Sequence, residues 1–213
     1  FHCHIGSQIF DIKPFCDTAD IMLKYCAYLK EKFSFVTKKL NLGGGFGVRY
    51  VEQDPEIDYE KNIKEISVHL HNQCSLFGID LPDIILEPGR SIVADSGITL
   101  YSVGSVKEVR GYKNYVSIDG GMPDNPRYAL YQSQYTIINA SHADEKPNYT
   151  CTVAGRCCES GDLIGENIDL YKPVRNDILA VLVTGAYNYS MASNYNKIPR
   201  PMILMVKDGK EYV

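Results

Sequence analysis

The sequence predicts an α/β segment followed by an all-β segment, and three observations carry this. Strand-like and helix-like stretches alternate over roughly the first 97 residues. Such β-α-β-α-β alternation implies a parallel sheet or barrel. From Gly97 onward the character changes to short runs rich in Val, Ile, Tyr and Thr, split by Gly, Pro and Asn, as in an antiparallel β domain. The expected units are therefore 1–97 and 98–213. A closed (β/α)8 barrel needs about 200–250 residues, and three strand–helix units cannot close one. The first segment is therefore expected to be part of a barrel, and the chain, which begins at Phe1 inside an apolar stretch, a fragment of a longer protein.

Taken in order, Phe1–Ile5 reads as a strand. Between Pro14 and Phe33, Ile21, Tyr25, Tyr28 and Leu29 recur at helical spacing. Lys39–Leu42 reads as a strand running into glycines 43–45. Asn62–Phe77 reads as a helix with Ile63, Ile66 and Leu70 on one face, and Gly78 suits its C-terminal end. Ile84–Leu86 reads as a buried parallel strand ending at Glu87-Pro88-Gly89. The β runs expected afterwards are Leu100–Val109, Tyr115–Ile118, Tyr135–Ile138, Thr150–Val153, Ile178–Val183 and Pro201–Val206.

Composition excludes some classes. A formal charge of −4 offers neither a basic field for nucleic acid nor a polybasic stripe for anionic lipid. No apolar run approaches the ~20 residues that span a bilayer. The seven cysteines fit no zinc spacing and no disulfide framework, so reduced thiols and a cytoplasmic setting are expected.

Four clusters are candidates for chemistry, because sites in parallel α/β folds gather at the C-terminal ends of strands. In His2-Cys3-His4-Ile5-Gly6-Ser7-Gln8, alternation puts His2 and His4 on one face. No third ligand falls at a metal-site spacing. In Leu42-Gly43-Gly44-Gly45-Phe46-Gly47, consecutive glycines either let backbone N–H groups converge on an anion or simply make a tight turn. Val48 breaks the dinucleotide-binding glycine frame, and no Gly-Lys-Ser/Thr follows. Glu87-Pro88-Gly89-Arg90 sets an acid at a strand end and a base at a helix start, suited to a phosphate or to a structural ion pair. Cys157-Cys158-Glu159-Ser160-Gly161-Asp162 sets thiols beside acids.

Together with GGMPDNPRYALY and GAYNYSMASNYN, and in this order along the chain, these motifs closely resemble the diaminopimelate decarboxylases. These belong to the alanine-racemase-like group of enzymes dependent on pyridoxal phosphate (PLP). The resemblance runs from Phe1 to about Val206. It implies the C-terminal part of a PLP-binding (β/α)8 barrel followed by the β domain. Glu87 resembles the carboxylate that pairs with the pyridine nitrogen, and His4 the imidazole on the ring face. Ser7, Gly43, Gly44, Gly45, the Pro88-Gly89 turn, Arg90 and Tyr187 resemble the phosphate cradle. Cys158 aligns with the proton donor, which makes Cys158 and His4 the catalytic pair. Arg90, Arg127, Tyr131, Glu159 and Tyr187 match the substrate contacts.

In the family Cys158 and Glu159 are supplied across a homodimer interface, so each site would be shared between two chains. The substrate implied is a small amino acid, with no metal, nucleic acid or membrane. Pro123, Asn125, Pro126, Tyr128 and the Arg156-Cys157 pair depart from the family pattern beside the key positions. The family's cofactor-anchoring lysine, in a Lys-Ala-Asn context, has no counterpart here. The competing readings are a sister decarboxylase acting on ornithine, arginine or carboxynorspermidine, and a non-catalytic remnant.

Overall fold

A computed structural model describes residues 1–212. The chain divides into two compact units, Phe1–Val93 and Ala94–Val213.

In the first unit, helix α1 spans Lys13–Phe33. The Asp11 carboxylate accepts from the Lys13 N–H (2.9 Å), and Pro14 takes a first-turn position where its missing N–H costs nothing. Left-handed Ser34 ends the helix. Its buried face is Phe15, Ala19, Leu23 and Cys26. The residues whose spacing marked this helix are not its buried face: Ile21, Tyr25 and Tyr28 are exposed at 69%, 47% and 48%. Two apolar stripes run along this helix, and only partners distant in sequence decide which one is covered. Phe15 stacks on Phe46 with centroids 4.4 Å apart, which ties the helix to the glycine-rich segment.

Strand β1 (Lys39–Asn41) pairs in parallel with β2 (Asp83–Ile85), with Asn41 opposite Ile85. Helix α2 (Tyr59–Phe77) starts at Asp58, whose carboxylate accepts from the Lys61 N–H (2.9 Å), and ends at left-handed Gly78. Leu40, Leu42, Ile66, Leu70 and Cys74 join the α1 face in one core. Ile63, expected beside Ile66, is exposed at 40%.

Contrary to the sequence reading, Phe1–Ile5 forms no strand: within it His2 makes a single parallel bridge to Asn41, and past it Ile9 makes another to Phe46. β2 is not fully buried. Ile84 and Leu86 pack on the core, whereas Asp83 and Ile85 are exposed. Helices cover only one face of this two-stranded sheet, so period-2 alternation exposes every second residue.

The second unit holds six strands in the order β5-β8-β3-β4-β6-β7. They are β3 (Thr99–Glu108), β4 (Asn114–Ile118), β5 (Ile137–Asn139), β6 (Tyr149–Ala154), β7 (Leu163–Leu170) and β8 (Ile178–Val181). Val103, Val116, Ile118, Val153, Ile164, Leu170, Leu179 and Val181 form the buried face. The sheet is mixed, not purely antiparallel, because β4 and β6 run parallel. β7 was not expected from sequence: Gly165 and left-handed Asn167 interrupt its alternation. The run expected at Pro201–Val206 becomes β9 (Met205–Lys207), paired with β10 (Lys210–Tyr212). Asp208 and Gly209, both at positive φ, make the two-residue turn such hairpins prefer. Among the described residues no helix is long and apolar enough to cross a membrane.

Candidate functional site

In the first unit the chemistry collects where β1 and β2 end. Glycines 43 and 44 are buried there. A Cβ on Gly44 would lie 2.1 Å from the Glu87 carbonyl oxygen, so only glycine lets these two strand ends meet. Asn41 organises the corner. Its side-chain oxygen accepts from the Gly43 N–H (2.8 Å) and its Nδ2 donates to Glu87 Oε1 (2.8 Å). His2 Nε2 lies 3.3 Å from Glu87 Oε2. These two contacts, Asn41 first, hold the Glu87 carboxyl below its ordinary range. His4 Nδ1 accepts from the Gly44 N–H (3.3 Å), which puts the proton of a neutral ring on Nε2.

Arg90, the first residue of α3 (Arg90–Val93), is buried. It donates to Ser7 Oγ (2.8 Å) and to the Tyr50 hydroxyl, and its guanidinium lies over the Tyr50 ring. The helix start expected to attract a phosphate is a single turn, whose few peptide dipoles add little. The groups here able to meet an anion are the guanidinium and the exposed Ser7 hydroxyl.

In the second unit, α4 (Arg127–Tyr131) brings Arg127 and Tyr131 onto one face. The Arg127 guanidinium carbon lies 5.3 Å from the Tyr131 ring centroid and 5.7 Å from that of Tyr187. Arg127 is only 7% exposed. Its Nη2 donates to Ser133 Oγ at a long 3.4 Å, and its Nε is buried without a hydrogen-bond partner among the described residues. No carboxylate among the described residues makes a salt bridge with it. Tyr187 sits at φ 63°, a strained region for an aromatic residue.

Cys158 and Glu159 lie exposed on the turn between β6 and β7. The Tyr195 hydroxyl donates to Glu159 Oε1. Cys157 is partly buried, and burial first, then the Asp162 carboxylate, push its thiol up. Asp162 is 2% exposed and accepts from the Met122 and Cys157 N–H groups (2.6 and 2.7 Å). Asp124 accepts from the Tyr101 hydroxyl (2.6 Å), and its burial raises its carboxyl above the usual range.

Every site residue expected from sequence thus falls into one of two groups. His4, Ser7, Gly43–Gly45 and Glu87–Arg90 lie in the first unit, and Arg127, Tyr131, Cys158, Glu159 and Tyr187 in the second. Sequence reasoning missed Asn41 and Tyr50, and gave no individual role to Asp162 or Tyr195, which lie within the quoted motifs. Asn41 carried a usable signal, a polar residue at a strand end against three glycines. Tyr50 is marked only by its contact with Arg90, 40 positions on.

The residues of the first unit fit the cofactor that the sequence implies. A side-chain-free glycine turn, a hydroxyl backed by a buried guanidinium, and a carboxylate held in its ionised form are complementary to a phosphate and a protonated pyridine nitrogen.

Comparison with known proteins agrees with this chemistry. Residues 1–94 match the family model of the pyridoxal-dependent decarboxylase pyridoxal-binding domain. Over 212 residues the chain is 48% identical to the diaminopimelate decarboxylase of Bacillus subtilis, covering 100% of this chain and 48% of that protein. It is also 48% identical over 210 residues to the Staphylococcus aureus enzyme of the same name, covering 98% of this chain and 49% of that one. Among solved structures, the M. jannaschii diaminopimelate decarboxylase in complex with L-lysine superposes with a TM-score of 0.87 at 35% identity, covering 99% of this chain and 47% of that one. The Helicobacter pylori diaminopimelate decarboxylase, also complexed with L-lysine, gives 0.85 at 32%, covering 99% of this chain and 50% of that one. The chain spans about half the length of the curated relatives it matches.

Proposed function

We propose that, within a longer polypeptide, this chain serves the decarboxylation of meso-diaminopimelate to L-lysine, a reading supported by the match of residues 1–94 to the pyridoxal-binding domain and by the 48% identity to diaminopimelate decarboxylases. PLP, when bound, supplies an electron sink that lets the substrate carboxylate leave as CO2. Glu87 keeps a proton on the pyridine nitrogen, a task suited to a carboxylate held below its ordinary pKa. His4 packs on the ring face. Ser7, the Gly43–Gly45 turn, Arg90 and Tyr187 hold the phosphate, with Pro88 and Gly89 shaping the turn into Arg90. Cys158 delivers a proton to the α-carbon. Glu159 takes the distal ammonium, and Arg127 with Tyr131 takes the distal carboxylate. Cys158 and Glu159 act in the site of a second copy, which makes the working unit a homodimer. The lysine that anchors the cofactor belongs to another part of the polypeptide. The setting proposed is the cytoplasm, with no membrane or nucleic-acid partner.

The observation that carries the substrate assignment is Arg127. A buried guanidinium between two tyrosine rings, with no carboxylate partner among the described residues, is costly unless an anion completes it. Diaminopimelate brings a distal carboxylate, whereas ornithine and lysine do not. The test is CO2 release by the full-length protein from meso-diaminopimelate, ornithine, arginine, carboxynorspermidine and lysine. Diaminopimelate should be preferred by kcat/KM, and a preference for any of the others would overturn the assignment.

A further inference from the structure

Asp162 is among the most buried polar residues of the second unit, yet nothing above gives it a part in the chemistry. Its carboxylate faces two backbone donors with two acceptors, Oδ1 to the Met122 N–H and Oδ2 to the Cys157 N–H. The main chain reinforces the same link. The Gly155 N–H donates to the Asp162 carbonyl (2.8 Å), and the Arg156 N–H to the Gly120 carbonyl (3.1 Å). Two glycines make room for it. A Cβ on Gly121 would lie 2.3 Å from Asp162 Oδ1, and one on Gly155 at 2.2 Å from the same atom. The carboxylate is therefore enclosed by the loop that leads from Gly120 to Arg127 and by the turn that carries Cys158 and Glu159.

We propose that Asp162 is a positioning residue: by holding the N–H groups of Met122 and Cys157 together, it sets where Cys158 and Glu159 stand relative to the loop of Arg127. The inference rests on the decarboxylase reading for the roles of those three side chains. An asparagine could not substitute, because its amide offers one acceptor and one donor to two N–H donors. One of the two backbone groups would lose its partner and meet a like dipole.

The experiment uses the PLP-loaded full-length enzyme with Asp162→Asn. A turn held out of register should slow proton delivery and leave ground-state binding intact. The expected result is a kcat lowered at least ~10-fold, a part of the ~10²–10⁴-fold that general acid catalysis contributes. KM and the visible absorbance of bound PLP should be essentially unchanged. A second readout needs no turnover: alkylation by iodoacetamide, mapped by peptide mass spectrometry. In wild type Cys158 should react and Cys157 stay protected, whereas in the variant Cys157 should become labelled. Wild-type kinetics together with a wild-type alkylation pattern would overturn the proposal. So would a parallel fall of kcat, cofactor occupancy and melting temperature with KM rising, since that marks a merely structural role. Should the variant fail to fold, hydrogen exchange on the wild type decides. The Met122 and Cys157 amides must exchange far more slowly than those of Cys158 and Ser160, and equal rates would refute the clasp. Because alkylation and exchange are read without substrate, an enzyme inert on diaminopimelate would sink the functional reading and leave this inference still testable.

Discussion

Arg127, four residues before Tyr131, sets its guanidinium carbon over that ring, 5.3 Å from the centroid across one turn of α4. The cation is thus held against an aromatic face. Its planar fork can grip a carboxylate through two parallel hydrogen bonds. Arg127→Ala in the full-length enzyme should therefore lower kcat/KM for diaminopimelate by an amount corresponding to ~2–5 kcal/mol, as for one partner removed from a buried charge pair. Any activity on lysine, which lacks the distal carboxylate, should change little. Equal losses on both substrates would show that Arg127 does not read that group.

Neighbouring thiols should behave oppositely. Cys158→Ala should lower turnover by ~10²–10⁴-fold, the usual contribution of a general acid, with bound PLP unchanged. Cys157→Ala should be nearly silent, because burial and Asp162 keep that thiol protonated. A damaging Cys157→Ala beside a silent Cys158→Ala would reverse the assignment.

A pH effect follows from Cys151, buried in β6, where burial pushes its thiol from 9.0 to about 12. The folded-state pKa lies above the unfolded one, so the unfolded chain ionises first. The contribution to stability is complete below pH 9.0 and is lost as pH rises through about 12. Denaturant midpoints measured from pH 8 upward should fall in wild type and fall less steeply in Cys151→Ala. Parallel curves for the two proteins would count against it.

The 213-residue chain by itself should neither anchor PLP nor stay readily soluble. Borohydride treatment with PLP should leave no adduct at one specific lysine. Exposed Phe1, Tyr25, Tyr28, Phe33 and Phe35, whose rings contact one another in T-shaped and stacked pairs, favour self-association. A soluble monomer carrying a single reducible adduct would contradict both expectations.

Within the first unit, Leu23 is fully buried in the core that seats the glycine turn. Leu23→Ala should cost ~2–5 kcal/mol of stability, read as a lower denaturant midpoint. Ile21→Ala, two positions away on the exposed stripe, should cost far less. Equal costs would mean that the other face of α1 is the packed one.

That contrast separates what sequence determined from what tertiary structure decided. Helix α1 and helix α2, the Gly78 cap and the glycine turn were legible because each depends on spacing or conformational freedom within a few residues. The motif order by itself likewise sufficed to point to the decarboxylase relatives. Which stripe of α1 is covered was not legible, since Ile21 and Leu23 are equally apolar and only Leu40, Phe46 and Ile66 choose between them. The same holds for the parallel pairing of β4 with β6. It holds also for Asn41 meeting Glu87 from 46 positions away, and for Asp162 reaching back 40 to Met122. Local propensity carries no information about partners at such separations. A polar side chain becomes a clasp only when folding buries it against donors that have no other acceptor.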